Sequence, residues 1–165
     1  MAKTELEWDS IDFITIGTVG PKGKRTFYLQ AGRSGRLATF LIEKEQAWAL
    51  SEAIGEFVDD LDERYEDQTA VDLIDMDMEL REPIQPLFRI SQMGLAYNED
   101  ERMIILIAQE FSAQDEDDLE DMDVGVVRMW CTREQMRALS LQAIDAVNSG
   151  RPDPKQNGRI IYYWT

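Results

Sequence analysis

Apolar and polar residues alternate in short runs along the first forty positions, then the period lengthens to three and four, and later the same succession returns. IDFITIGTVG (11–20) is rich in β-branched and aromatic residues and ends in glycine, which predicts a strand. GPKGK follows as a turn. RTFYLQA (25–31) sets Phe27, Leu29 and Ala31 on one face and Thr26, Tyr28 and Gln30 on the other, a period of two. After GRSG, a second turn, RLATFLIE (36–43) predicts a third strand. Ala47, Leu50, Ile54, Phe57, Val58 and Leu61 then recur at helical spacing and predict an amphipathic helix of about four to five turns. Its C-terminal end carries Asp59, Asp60, Asp62 and Glu63, the wrong sign for the helix dipole. Fraying is expected there, followed by a poorly ordered acidic segment to about residue 82.

The second half repeats the order. PLFRISQMGLAY (86–97) and RMIILIAQEF (102–111) predict strands joined by a turn at NEDE. The continuous apolar run MIILIA suggests a central strand covered on both faces. SAQDEDDLEDMD (112–123) reads as a long acidic loop, and GVVRMWC (125–131) as a strand. Thr132 and Gln135 have the spacing of a capping box. Met136, Leu139, Ala143 and Val147 form the stripe of a second helix, which Asn148-Ser149-Gly150 and then Pro152 should stop. The tail ends in GRIIYYWT and is expected to form a last strand or docked arm.

Two heptapeptides reinforce the repetition. EQAWALS (45–51) and EQMRALS (134–140) share five of seven letters, and each begins the helix after a third strand. The phrases Ile16–Gly20 and Ile90–Gly94 look alike, and Arg25 and Arg102 each open a second strand. The expectation is an α+β fold of two βββα repeats related by a pseudo-twofold. They would form an antiparallel sheet with both helices on one face, plus a C-terminal strand. Residues 1–165 would make one domain: repeat 1 at about 11–64, an acidic linker at about 65–84, repeat 2 at about 86–150 and an arm at 151–165.

Composition narrows the chemistry. The 165 residues are 44% apolar, enough for a globular core. One cysteine, Cys131, cannot form an internal disulfide, and MAKTELEWDSIDF has no apolar run suited to a signal peptide, so a cytoplasmic protein without membrane contact is expected. There is no histidine. That removes the commonest general base and metal ligand and every Ser-His or Cys-His pair, so catalysis is disfavoured and neither a cofactor nor a metal is expected. The net charge of −16 is concentrated. Residues 56–79 hold 11 acids and one base, residues 110–123 hold 8 acids and no base, and the remainder is close to neutral.

The residues with most chemical promise form one stretch, Gly17-Thr18-Val19-Gly20-Pro21-Lys22-Gly23-Lys24-Arg25. Gly17, Gly20 and Gly23 would let backbone amides approach a phosphate, with Lys24 and Arg25 supplying charge. The spacing is not that of a P-loop, and a strand follows rather than a helix. A hairpin turn explains the same glycines. The alternating carboxylates Asp75, Asp77, Glu79 and Asp121, Asp123 do not continue into an EF-hand pattern. Glu45-Gln46 and Glu134-Gln135 suit helix starts without any catalytic role. Cys131, beside Trp130 on a strand, reads as a small buried apolar residue. Arg33, Arg36, Arg151, Lys155 and Arg159 are scattered and do not interleave with aromatics as a single-strand nucleic-acid face requires.

The phrase GTVGPKGKRTFYLQA resembles a motif, roughly G-T-V-G-x-x-G-x-R-x-F-x-L-Q-A, of a bacterial family of unknown function found mainly in Actinobacteria and Chloroflexi. FRISQMGLAYNEDERMIILIAQE and Gly150-Arg151-Pro152 extend the resemblance, from about residue 11 to 158. Members of that family often end in a cysteine-rich tail; here PDPKQNGRIIYYWT holds no ligand, and zinc is not carried over. The resemblance brings no activity with it, but its association with phosphatase-like and kinase-like neighbours implies a protein partner. Three readings follow: a non-catalytic binding or adaptor protein, a phosphate- or nucleotide-binding enzyme using residues 17–25, and an acidic nucleic-acid mimic acting through 112–123. Nucleic acid is not an expected ligand, and IIYYWT pairing across an edge would give a homodimer.

Overall fold

The strands predicted from alternation form where expected, and a short one precedes them. The structure, a computed structural model, describes residues 5–73, 76–111 and 124–149. β1 (Glu5–Trp8) comes first, then β2 (Phe13–Val19), β3 (Thr26–Arg33), β4 (Arg36–Ile42) and α1 (Lys44–Arg64). β5 (Pro86–Asn98), β6 (Met103–Glu110), β7 (Val126–Cys131) and α2 (Arg133–Ser149) complete the order. The acidic loop 112–123 and the arm 151–165 lie outside the described residues.

All seven strands join one sheet in the order β1-β7-β6-β5-β4-β3-β2. It is mixed, not antiparallel as expected, because β4 runs parallel to β5 and β7 parallel to β1. The reason is topological. A helix crosses between β4 and β5, and such a crossover returns the chain in its original direction. β1 and β2 sit at opposite edges, yet only residues 9–12 join them. Six strand spacings in a flat sheet would span about 29 Å, and five residue steps reach at most about 18 Å. The sheet therefore curls until its edges approach.

The inner face and the helices share one core. Ile16, Leu29, Phe40, Leu106, Met129 and Ile54 belong to a single cluster of buried residues to which both helices contribute. In the first half Leu29 pairs with Phe40 and Ala31 with Ala38; in the second Leu106 pairs with Met129 and Ala108 with Val127. Ile16 lies opposite Leu29, and Leu95 opposite Leu106. By register Ile16 matches Leu95, and the similar phrases at Ile16 and Ile90 do not align. MIILIA is central but not covered on both faces: Ile104, Leu106 and Ala108 are buried, while Ile105 and Ile107 are half-buried.

The shared heptapeptides do matching work. Gln46 Oε1 accepts from Glu43 N at 2.7 Å while its Nε2 donates to Ile90 O at 3.0 Å. Gln135 Oε1 accepts from Thr132 N at 2.9 Å while its Nε2 donates to Ile11 O at 3.0 Å. Thr132 Oγ1 also accepts from Gln135 N, so the expected capping box is present. The last letter of each heptapeptide meets the other. Ser51 Oγ donates to Ser140 O at 2.8 Å, and Ser140 Oγ donates to Ser51 O at 2.9 Å.

The acidic end of α1 does not fray, contrary to the dipole argument. α2 runs back alongside α1 and presents Arg133 and Arg137 near its own start, where cations are equally ill-placed. Each set of wrong-signed charges satisfies the other. Arg133 reaches Asp62 at 2.9 Å and Asp67 at 3.0 Å, and Arg137 reaches Asp59 at 2.6 Å. Thr69 adds two hydrogen bonds to Asp62, at 2.6 and 2.8 Å. Burial alone would raise the Asp62 carboxyl, but the bonds from Thr69 and Arg133 and the Arg133 charge outweigh it and hold it below its ordinary value.

Residues 76–82, expected to be poorly ordered, cross the outer face of β2–β4. Thr15, Gln30 and Thr39 are cross-strand neighbours there and are fully buried, though polar. Thr15 Oγ1 donates to Met78 O at 2.7 Å. Gln30 donates through Nε2 to Arg81 O and Thr39 Oγ1, and accepts from Arg81 N at 2.7 Å. Arg81 also stacks on the Phe13 ring at 3.7 Å.

Candidate functional site

The glycine-rich stretch divides into a structural part and a part that lines a cleft. Gly17 lies beneath the crossing segment: a Cβ there would come within 2.6 Å of Leu80 Cγ. Gly20 and Gly23 take φ of +111° and +85° in the β2–β3 turn, a region that favours glycine. Lys24 N closes that turn on Pro21 O at 2.9 Å. Only Gly23 and Arg25 of the five sequence candidates face the cleft, which has a volume of about 400 Å³.

Two further cations come from distant elements. Lys44 is the first residue of α1, and Arg89 belongs to β5. The first N–H groups of a helix have no intrahelical partner and carry the positive end of its dipole, so α1 adds to the field. Two carboxylates, Glu43 and Glu45, also line the cleft. Arg89 is paired with Glu43. Arg25 and Lys44 have no ion pair among the described residues. Arg25 Nη1 donates to Thr18 Oγ1 at 3.1 Å, which points the guanidinium, while its buried Nε finds no acceptor there. An unpaired buried donor costs free energy that an incoming oxygen would recover. Lys44 and Arg89 were not legible as site residues, because nothing local marks either.

Two cations of the second half occupy similar positions in its elements: Arg102 directly precedes β6 as Arg25 precedes β3, and Arg133 is first in α2 as Lys44 is in α1. The Tyr65 ring centre lies 5.1 Å from the Arg102 guanidinium and 5.7 Å from that of Arg133, and Asp62 pairs with Arg133. Tyr97 is 6.2 Å from Tyr65, ring to ring.

A second concavity, about 270 Å³ and mostly apolar, opens between α1 and β5, where Ala49 and Ala53 face Met93, Gly94 and Leu95. At the corresponding place α2 closes on β2, with Gln142 Nε2 donating to Ile16 O at 3.1 Å. Cys131 is buried, and desolvation pushes its thiol far above the usual range, so it is no nucleophile. Among the described residues no three carboxylate or thiol groups converge as a metal site requires, and no helix is long and apolar enough to cross a membrane. Asp77, one of the alternating carboxylates, instead lies 3.7 Å from Arg81.

No curated protein and no solved structure matches the chain. Over residues 6–158 it matches the family model described as Protein of unknown function (DUF3090), and the chain belongs to that family.

Proposed function

We propose that the protein is a non-catalytic binding protein and that the cleft between the β2–β3 turn, the start of α1 and β5 holds an anionic group. The observation that carries this is the pair Arg25 and Lys44, cations that line the cleft and have no ion pair among the described residues, in a chain of net charge −16. The missing histidine and the buried Cys131 favour binding over turnover. Inorganic phosphate should raise the melting temperature in a saturable way, as any ligand of the folded state does. Lys44→Ala, at an exposed position, should abolish that shift, and Arg36→Ala, whose guanidinium stacks on Trp8, should leave it intact. A shift that is absent, or that survives Lys44→Ala, refutes the reading.

The chain is also inferred to be one domain built from a duplicated βββα unit about a pseudo-twofold axis. The repeated registers and the glutamine bonds from both helix starts support this. So do the reciprocal Ser51 and Ser140 bonds, in which two equivalent residues meet as they would on an axis.

The apolar groove between α1 and β5 favours a second reading, an adaptor for a protein partner. Exposed Glu52 and Glu56 stand one turn along α1 from the lining residues Ala49 and Ala53, so the fitting occupant is an extended apolar segment flanked by basic residues. Peptides selected from a random library should show that composition and lose binding to Ala53→Trp. Selection of no such peptide, or binding unaffected by Ala53→Trp, counts against it.

A further inference from the structure

The geometry points to a ligand that carries an aromatic ring beside its phosphate, as a nucleoside monophosphate does; the inference rests on the anion-binding reading above. The second half of the molecule supplies the precedent. There the counterparts of Arg25 and Lys44 hold two things at once: the Tyr65 ring, against Arg102 and Arg133, and the Asp62 carboxylate, against Arg133. Both come from the end of α1. In the first half the cleft of about 400 Å³ lies where Arg25 and Lys44 face. On the repeat reading Thr18, a smaller side chain, takes the register position of Tyr97.

Charge separates the two places further. β5 adds Arg89 to the cleft, beside the Ile90 carbonyl that accepts from Gln46. The matching position before Ile11 is Ser10, which brings no cation. Three cations, Arg25, Lys44 and Arg89, outnumber the two carboxylates Glu43 and Glu45 in the cleft, which favours an anion such as a phosphate monoester, of charge about −1.5 to −2 at neutral pH. A guanidinium also offers its flat face to a ring, as Arg102 does to Tyr65. The volume of about 400 Å³ falls within the range of small-ligand sites.

Calorimetric titration of the full chain with inorganic phosphate, adenosine 5′-monophosphate and adenosine tests this. The monophosphate should bind about tenfold or more tightly than phosphate, from the ring contact. It should also bind about tenfold or more tightly than adenosine, from the charge-assisted bonds. Arg25→Ala and Lys44→Ala should each weaken it by about tenfold or more, and Arg36→Ala should not. If Arg25→Ala fails to fold, Lys44→Ala alone carries the test, since its side chain is exposed. Phosphate and monophosphate binding equally would overturn the ring while leaving the anion site standing. Binding of none of the three overturns both, as does adenosine binding as tightly as the monophosphate.

Discussion

Replacing Gln30 with leucine should cost stability out of proportion to the small change in volume. Gln30 is fully buried on the outer face of the sheet, where three hydrogen bonds engage its amide. Two of them hold the Arg81 backbone, and the third satisfies Thr39, which is itself 1% exposed. Each net hydrogen bond contributes about 0.5–1.5 kcal/mol, and a buried group left unsatisfied costs about 1–3 kcal/mol. Arg81 is exposed enough for its N–H and carbonyl to regain water, whereas the Thr39 hydroxyl is not. The expected loss for Gln30→Leu is therefore about 2–4 kcal/mol. Urea denaturation should show it as a lower midpoint at unchanged slope. Hydrogen exchange should locate it, with the Arg81 amide exchanging faster while helix amides keep their rank order. A loss under about 1 kcal/mol, or an unchanged Arg81 amide, would refute the account of how residues 76–82 are held.

The Asp62 carboxyl is held below its ordinary value, so its charged form stabilises the folded state above the unfolded pKa, and that contribution disappears as pH falls through the folded one. Asp62→Asn should destabilise by about 1–3 kcal/mol at neutral pH, with the gap to the parent closing below about pH 4; a gap that persists into strong acid contradicts the assignment. Ser51→Ala and Ser140→Ala should each cost about 0.5–1.5 kcal/mol and agree with one another, because their bonds are reciprocal. Chemical denaturation that finds one costly and the other neutral argues against a twofold relation.

Glu43, Gln46, Thr132 and Gln135 show how far local sequence reaches. The capping box at Thr132 lies within four residues and was readable as a motif. The second bond of each glutamine, to Ile90 O and Ile11 O, was not, because its acceptor comes from another strand. The five shared letters of the heptapeptides mark two helix starts that make the same glutamine bonds, but the similar strand phrases do not take the same register positions. Side-chain likeness between strands says nothing about which residues pair. β1 was missed because ELEW, though it alternates, is only four residues long, and only its parallel partner β7 makes it a strand.

The candidate site divides the same way. Gly23 and Arg25 stood out because glycine and charge cluster locally. Lys44 and Arg89 joined them only when the β4–α1–β5 crossover brought three remote segments to one cleft. Gly17 and Gln30 looked like parts of a ligand motif and of a plain strand, and both instead hold residues 76–82. By itself the sequence determined the periods, the helix starts, the order of elements and the exclusion of histidine chemistry, since these depend on residues a few positions apart. The tertiary structure alone decided the parallel joins, the pairing of wrong-signed helix ends and the meeting of Arg25, Lys44 and Arg89 in one cleft. Those depend on which distant side chains come within a few ångströms, and nothing in local sequence encodes that distance.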